Sequence, residues 1–442
     1  MSARPNILYV FTDQQTATAM SCAGNRDLCT PNMDRLAREG VRFERAYCTY
    51  PLCTPARASM FTGRMPHEIG VSDNGQRMNE EARVNSLGNL LSAGGYDCAY
   101  GGKWHIPTVR FKKAERYGFQ CIHGFDDNTL ADACIEFLRR KREKPFFLIA
   151  SYDNPHNICE WARDQRLPWG PIPEPESIEA CPNLPADFNP PPFEPGCIRP
   201  EQRANPKAYA AADFSPEQWR RFRHAYYRLV EKVDAEIGRL LDGLRDTGQE
   251  EETLVIFSSD HGDCNGAHGW NQKTVLYEES VRVPLVIRAP GAENQGRIVA
   301  DRLVSSGLDL LPTLCDYGRV NPPAGLAGHS LRPLLEGRSP TAWRDHLVIE
   351  TCFGSPAGLG TTARAVLTLQ HKYALYSWGR HREQLSDLYA DAGEMVNLAV
   401  ESRHAGTLNA MRKRLYQWCV TTGDTFGEHY SHKGVCNIPG SQ

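Results

Sequence analysis

Five short apolar runs, Asn6 to Phe11, Tyr96 to Tyr100, Phe146 to Ser151, Thr253 to Ser259 and Pro284 to Ile287, are separated by helical patterns, and this alternation limits what the chain can become. Strand, helix and strand in succession return to one sheet most readily in parallel. The pattern therefore predicts an α/β fold, a large mixed but mostly parallel sheet sandwiched by helices. Each of the first four runs leads within a few residues to groups capable of chemistry: Asp13, then Lys103 and His105, then His156, then Asp260 and His261. Open parallel sheets bind ligands at the carboxyl ends of their strands. Four distant segments thus point to one site.

A long helix is predicted from Ser215 to Leu244, with Ser215 as N-cap, Pro216 in the first position and Gln218 completing a capping box. Its stripe of Trp219, Phe222, Tyr226, Leu229, Val230, Val233, Ile237, Leu240, Leu241 and Leu244 recurs every three or four residues and should face the sheet. A shorter helix, Pro31 to Glu39, is bounded by Thr30 and Gly40. Residues 1–343 read as the main domain, with a Pro- and Asn-rich insertion at about 161–206 of the kind that forms lids or binding loops. Residues 344–442 read as a small α+β subdomain, with strands at His346 to Glu350, Ala365 to Leu369 and Tyr373 to Ser377 and a helix near Leu408 to Trp418.

The 442 residues are 41% hydrophobic, and a net charge of -3 without long runs of one sign gives no sign of nucleic acid or a membrane surface as the main partner. Any anion site must be local. Fifteen cysteines without C-x-x-C spacing fit reduced thiols better than a disulfide framework. The apolar run after Met1 is too short for a signal h-region, so a cytoplasmic location is expected unless a leader has been trimmed.

Cys53 stands in Pro51-Leu52-Cys53-Thr54-Pro55-Ala56-Arg57, with Thr54 the expected N-cap and Pro55 the expected first helical residue. A thiolate there would face the positive end of a helix, and Arg57 could hold it from one turn on. The segment Pro51 to Gly63 resembles the C-x-P-x-R signature of type I sulfatases, in the alkaline phosphatase-like superfamily, whose cysteine is converted to formylglycine by a maturation enzyme. The resemblance continues at Arg4-Pro5-Asn6-Ile7-Leu8 with Asp13-Gln14, at Gly102-Lys103-Trp104-His105, at Pro155-His156 and at Ser259-Asp260-His261-Gly262 with Lys273. It extends to Gly328-His329-Ser330-Leu331 and to Leu388-Tyr389-Ala390-Asp391, so it spans nearly the whole chain.

The resemblance implies a divalent metal held by Asp13, Gln14, Cys53, Asp260 and His261, with Ca²⁺ as first expectation and Mg²⁺ or Mn²⁺ as alternatives. Two positions depart from many family members, Gln14 for an aspartate and His261 for an asparagine, and the imidazole softens the donor set. Lys103, His156 and Lys273 match residues that bind the sulfate. Lys273 or His156 would protonate the leaving alcohol, and Lys103 and His105 would hold the formylglycine hydrate. One hydroxyl of that hydrate would attack sulfur, and deprotonation of the other by His105 would eject sulfate.

The implied substrate is a small-molecule or oligosaccharide sulfate ester, a sulfated sugar first. Arg380 and His381 are candidate contacts, and Asn74, His67 and Trp104 are candidate pocket walls. Three rival readings stay open: a phosphonate or phosphate diester hydrolase, a choline sulfatase, and a non-catalytic anion- or glycan-binding homologue.

Overall fold

The structure, a computed structural model, describes residues 4–106, 111–291, 295–354 and 357–431. Its strands in chain order are β1 (Asn6–Asp13), β2 (Val41–Phe43), β3 (Ala46–Tyr47), β4 (Asp97–Gly102), β5 (Gln120–Cys121), β6 (Phe146–Pro155), β7 (Thr253–Ser259), β8 (Leu285–Arg288), β9 (Arg297–Val299) and β10 (Val304–Ser305). Four more, β11 (Leu347–Cys352), β12 (Thr362–Leu367), β13 (His371–Tyr376) and β14 (Glu383–Asp387), follow. The main sheet has the order β5-β4-β6-β1-β7-β8-β2-β9. Only β8 runs against its neighbours; the pairs β5-β4, β4-β6, β6-β1, β1-β7 and β2-β9 are parallel.

Alternation along β1 shows why the sheet is covered on both sides. Ile7, Tyr9 and Phe11 pack into one core with Ala58, Met60 and Phe61, while Leu8 and Val10 pack into another with Phe222, Val230 and Ile237. The long helix spans Pro216–Asp246, and its capping box forms: Ser215 Oγ accepts from Gln218 N at 3.3 Å and Gln218 Oε1 accepts from Ser215 N at 2.8 Å. The helix Pro31–Glu39 has the predicted bounds, but Thr30 does not cap it with its side chain. Its hydroxyl accepts from the backbone N of Ser21 instead.

The C-terminal strands form an antiparallel sheet in the order β11-β12-β13-β14. One face, with Val348, Val366 and Leu375, is covered by Leu408, Met411 and Leu415 of the helix Ala405–Thr422; the other, with Ile349, Ala365 and Tyr376, joins the main core. Every cysteine among the described residues is free. Among the same residues no helix is long and apolar enough to cross a membrane.

Parallel pairing places the carboxyl ends of β4, β6, β1 and β7 on one edge, where Gly102 closes β4 just before Lys103. Gly102 has φ 92°, and a Cβ there would lie 2.0 Å from the carbonyl oxygen of Ser151. Gly102→Ala should therefore cost about 2–4 kcal/mol, from left-handed backbone strain and a collision with rigid backbone. Urea denaturation would measure this, and an unchanged midpoint would show that the β4–β6 crossing is looser than described.

Candidate active site

The nucleophile candidate opens a helix. Cys53 is the first residue of the helix Cys53–Thr62, and extended Leu52 stands at the N-cap. This corrects the expected start at Pro55 with Thr54 as cap. Thr54 is the second helical residue and lies inside the first turn rather than capping it; its hydroxyl donates to the His105 carbonyl at 2.8 Å and its N–H to Asn74 Oδ1 at 3.1 Å. Pro55 fits the third helical position because N–H groups of the first turn have no intrahelical acceptor.

Cys53 Sγ lies 3.0 Å from Lys273 Nζ, 3.3 Å from His261 Nε2 and 3.6 Å from Asp13 Oδ1. Arg57 takes a different part from the one expected. Its guanidinium grips the two carboxylates rather than residue 53, with Nη2 2.8 Å from Asp13 Oδ2 and Nε 2.8 Å from Asp260 Oδ2. Nη1 donates to the Lys103 carbonyl at 2.6 Å and to Ser151 Oγ at 3.1 Å. One fully buried fork thus ties together the ends of β1, β4, β6 and β7.

The grip leaves one oxygen of each carboxylate turned inward. Asp13 Oδ1 is 3.8 Å from His261 Nε2, and Asp260 Oδ1 is 3.5 Å from the same nitrogen. Ligand atoms of Asp13, Cys53, Asp260 and His261 all lie within 4.8 Å of one another, and all four residues are buried. Gln14, with φ 73°, turns its amide elsewhere: Oε1 accepts from Lys273 Nζ at 2.7 Å, and Nε2 donates to Asp263 Oδ2 at 2.6 Å.

Burial and Asp13 push the Cys53 thiol up, but Lys273, His261 and Lys103 outweigh them and hold it well below the ordinary thiol value. Burial also opposes ionisation of Asp13, yet Lys103, His156, Arg57 and Lys273 hold its carboxyl well below the usual range. Asp260 is raised, by burial first and then by Asp13. Two close buried carboxylates with an imidazole beside them form a donor set that a divalent cation satisfies.

A cavity of about 410 Å³ opens over this cluster, with Cys53, Asn74, His105, His156, Tyr209 and Lys273 among its walls. Lys103 Nζ is fixed 2.8 Å from Asp13 Oδ2 and 2.8 Å from Asp153 Oδ1. His156 is half-buried in the wall, and His105 is exposed there with φ 47°.

Two expected pocket walls lie elsewhere. His67 bonds Glu350 Oε1 at 2.6 Å under the C-terminal sheet, and Trp104 is buried in edge-to-face contact with Tyr100, Phe61 and Tyr117. Arg380 and His381 meet the insertion rather than the cavity: the Arg380 carbonyl accepts from Gly196 N at 2.7 Å, and His381 packs on Phe193. Sequence reasoning missed Asp153, Asp263, Tyr209 and Glu201. Glu201 ties the insertion to the C-terminal region by accepting from the backbone N–H groups of Leu359 at 2.9 Å and Thr361 at 3.1 Å.

The sequence model of the sulfatase family matches residues 5–319, and that of the N-sulphoglucosamine sulphohydrolase C-terminal region matches residues 266–420. The chain belongs to the sulfatase family. A Delta 4,5-hexuronate-2-O-sulfatase of Bacteroides thetaiotaomicron is 30% identical over 96% of this chain and 90% of its own. An ulvan-active sulfatase of Formosa agariphila is 28% identical over 96% of this chain and 82% of its own. Among solved structures, a 2-O GAG sulfatase superposes with a TM-score of 0.85 at 27% identity, covering 96% of this chain and 94% of that one. The fold is that of the alkaline phosphatase-like sulfatases, and the protein is a sulfuric ester hydrolase.

Proposed function

We propose that this sulfatase cleaves a sulfate ester of a carbohydrate, with Cys53 oxidised to formylglycine as the nucleophile beside a divalent cation. The carrying observation is the convergence of Asp13, Asp260 and His261 on Cys53, within 4.8 Å, at the floor of a cavity walled by Lys273 and His156, with the Lys103 ammonium held against Asp13. The inward oxygens of Asp13 and Asp260 and Nε2 of His261 would hold the cation. Ca²⁺ is the first choice because two donors are carboxylate oxygens, and Mn²⁺ is the rival because the third is an imidazole. Gln14 would join only by releasing Lys273. A bound cation would supply Lewis-acid polarisation of the hydrate and offset the charge of the two carboxylates.

The remaining work belongs to the chain's own cations. Lys103 and Lys273 face the reacting position with fixed ammonium groups and bind the sulfate oxygens. His156 stands in the cavity wall, where it protonates the leaving alcohol as charge grows on the bridging oxygen. His105 is the base for the second hydroxyl of the hydrate. Support for a saccharide comes from the relatives, whose names give a hexuronate 2-O-sulfate, ulvan and a glycosaminoglycan. The cavity volume of about 410 Å³ is in the range that holds a small ligand.

The test is co-expression with a formylglycine-generating enzyme, followed by a screen of sulfated mono- and disaccharides beside an aryl sulfate and an aryl phosphonate ester. Turnover of a sulfated saccharide is expected, falling to background after chelation and returning with Ca²⁺ or Mn²⁺. A large preference for the phosphonate, or turnover indifferent to chelation, would overturn the reading.

A further inference from the structure

Asp153 lies three residues before His156 at the carboxyl end of β6 and is 2% exposed. Oδ1 accepts from the Lys103 ammonium at 2.8 Å and stands 4.0 Å from Nδ1 of His156. Oδ2 accepts from Nδ2 of Asn157 at 2.6 Å and from the indole Nε1 of Trp169 at 3.3 Å. The backbone is pinned as well, because the N–H groups of Asp153 and Asn154 each donate at 2.8 Å to an oxygen of Asp127.

Lysine, asparagine and indole donors occupy both sides of this carboxylate. Only an ionised carboxylate accepts on both oxygens; an asparagine would turn an NH₂ toward donors on one side or the other. Burial pushes the Asp153 carboxyl up, but Lys103 and His156 outweigh it and hold the group below the usual range. The indole comes from the segment that follows β6 over the sheet. Trp169 meets the Phe125 ring edge-on with centroids 5.3 Å apart, and its carbonyl accepts from Lys232.

We propose that Asp153 is a positioning residue for the reaction: it sets Lys103 and His156 in one fixed relation and is itself held, through Trp169, by the segment that follows β6. Lys103 has a flexible four-carbon stem, and its ammonium keeps one place because Asp13 and Asp153 hold it from two strands. His156 is placed beside the same carboxylate by its backbone, whose N–H donates to the Asp153 carbonyl at 3.0 Å, and its Nδ1 stands within charge contact, 4.0 Å from Oδ1. The inference rests on the reading of His156 as proton donor to the leaving alcohol. Asp153 touches neither the substrate nor the reacting atoms.

The experiment uses matured, cation-loaded enzyme and a series of aryl sulfates whose leaving phenols become steadily more basic. Asp153→Asn should lower kcat about 10- to 100-fold, as loss of a supporting partner does in other sites, with little change in KM. The loss should grow with the basicity of the phenol, because a misplaced proton donor matters most for the poorest leaving groups. Trp169→Phe keeps a ring against Phe125 and removes only the N–H; it should lower kcat about fivefold with the same trend. Parental kcat in folded Asp153→Asn overturns the proposal, and so does a loss uniform along the series where His156→Ala gives a rising one. Should that variant not fold by circular dichroism and thermal melting, Trp169→Phe decides: a rising loss supports the proposal and a flat series overturns it. His156→Ala run in parallel separates the two readings. If it is flat, the proton-donor assignment fails, and the kcat loss in Asp153→Asn alone decides whether Asp153 positions Lys103.

Discussion

Cys53→Ala is expected to reduce turnover by a factor on the order of 10⁴ to 10⁶, the range seen when a catalytic nucleophile is removed, while leaving the fold intact. The side chain makes no helix-capping bond, and the first turn is anchored instead by Arg57 on two carboxylates and by Thr54 on the His105 carbonyl. Alanine fits the same buried space. The loss would therefore be chemical, and a melting temperature near that of the parent would show it. The parent protein offers a second readout. From a host with the maturation enzyme its intact mass should fall by about 18 Da, the change from thiol to aldehyde. From a host without it the mass should match the sequence and turnover should be poor, since a thiol cannot eject sulfate as an aldehyde hydrate does. Full turnover by the unmodified protein would remove formylglycine from the mechanism, and turnover by Cys53→Ala would remove residue 53 altogether.

Two lysines and a histidine explain why this position suits an anionic reaction. Lys273, His261 and Lys103 overcome both burial and Asp13 to favour the negative form of the Cys53 side chain. A site that stabilises a thiolate at the start of a helix is also suited to the negative charge of a sulfate group.

Much of this was legible because the chemistry sits at strand ends. The five apolar runs correspond to β1, β4, β6, β7 and β8, and the polar residues after the first four gather on one edge because parallel strands end together. Strands of two or three residues, such as β2, β5 and β9, carry too little period to be read, and their pairing comes from neighbours distant in sequence. β14, reading Glu-Gln-Leu-Ser-Asp, was hidden by its polarity: it is an edge strand, and only its middle residues are buried.

The boundary of β6 mattered most. The apolar run Phe146 to Ser151 ends before Asp153, although the strand runs to Pro155. An aspartate at the end of a strand, three residues before a site histidine, was the available signal. Angles were not available at all. Sequence gives Arg57 a fork of donors beside Cys53, but only geometry turns that fork away from residue 53 and toward Asp13 and Asp260. Gln14 is similar, since its amide is drawn to Lys273 and Asp263, partners about 250 positions along the chain. Trp104 read as a pocket wall because it stands between Lys103 and His105, yet the turn after β4 sends the indole into the aromatic core.

The geometry of Arg57 carries the second large effect. Its guanidinium is fully buried between Asp13 and Asp260, and replacement by methionine, of similar length and without charge, leaves two inward carboxylates with no shared cation. Removing one partner from a buried ion pair costs about 3–5 kcal/mol, which urea denaturation of the metal-free protein would measure. The pH dependence should move as well. The folded carboxyl of Asp13 lies below its unfolded value, so its stabilisation is fully present above the unfolded pKa near 4 and is lost as pH falls through the lower folded value. Without Arg57 the folded value rises toward the unfolded one, so the stability lost on acidification should be smaller than in the parent and its loss complete at a higher pH. Arg57→Lys keeps the charge but cannot reach Asp13, Asp260, Lys103 and Ser151 with one ammonium, so it should lie between the two. A methionine variant within about 1 kcal/mol of the parent, unchanged in its acid limb, would mean that other groups already balance the carboxylates. Lys103 and Lys273 would be those groups, and the place of Arg57 at the hub of the four strand ends would have to be given up.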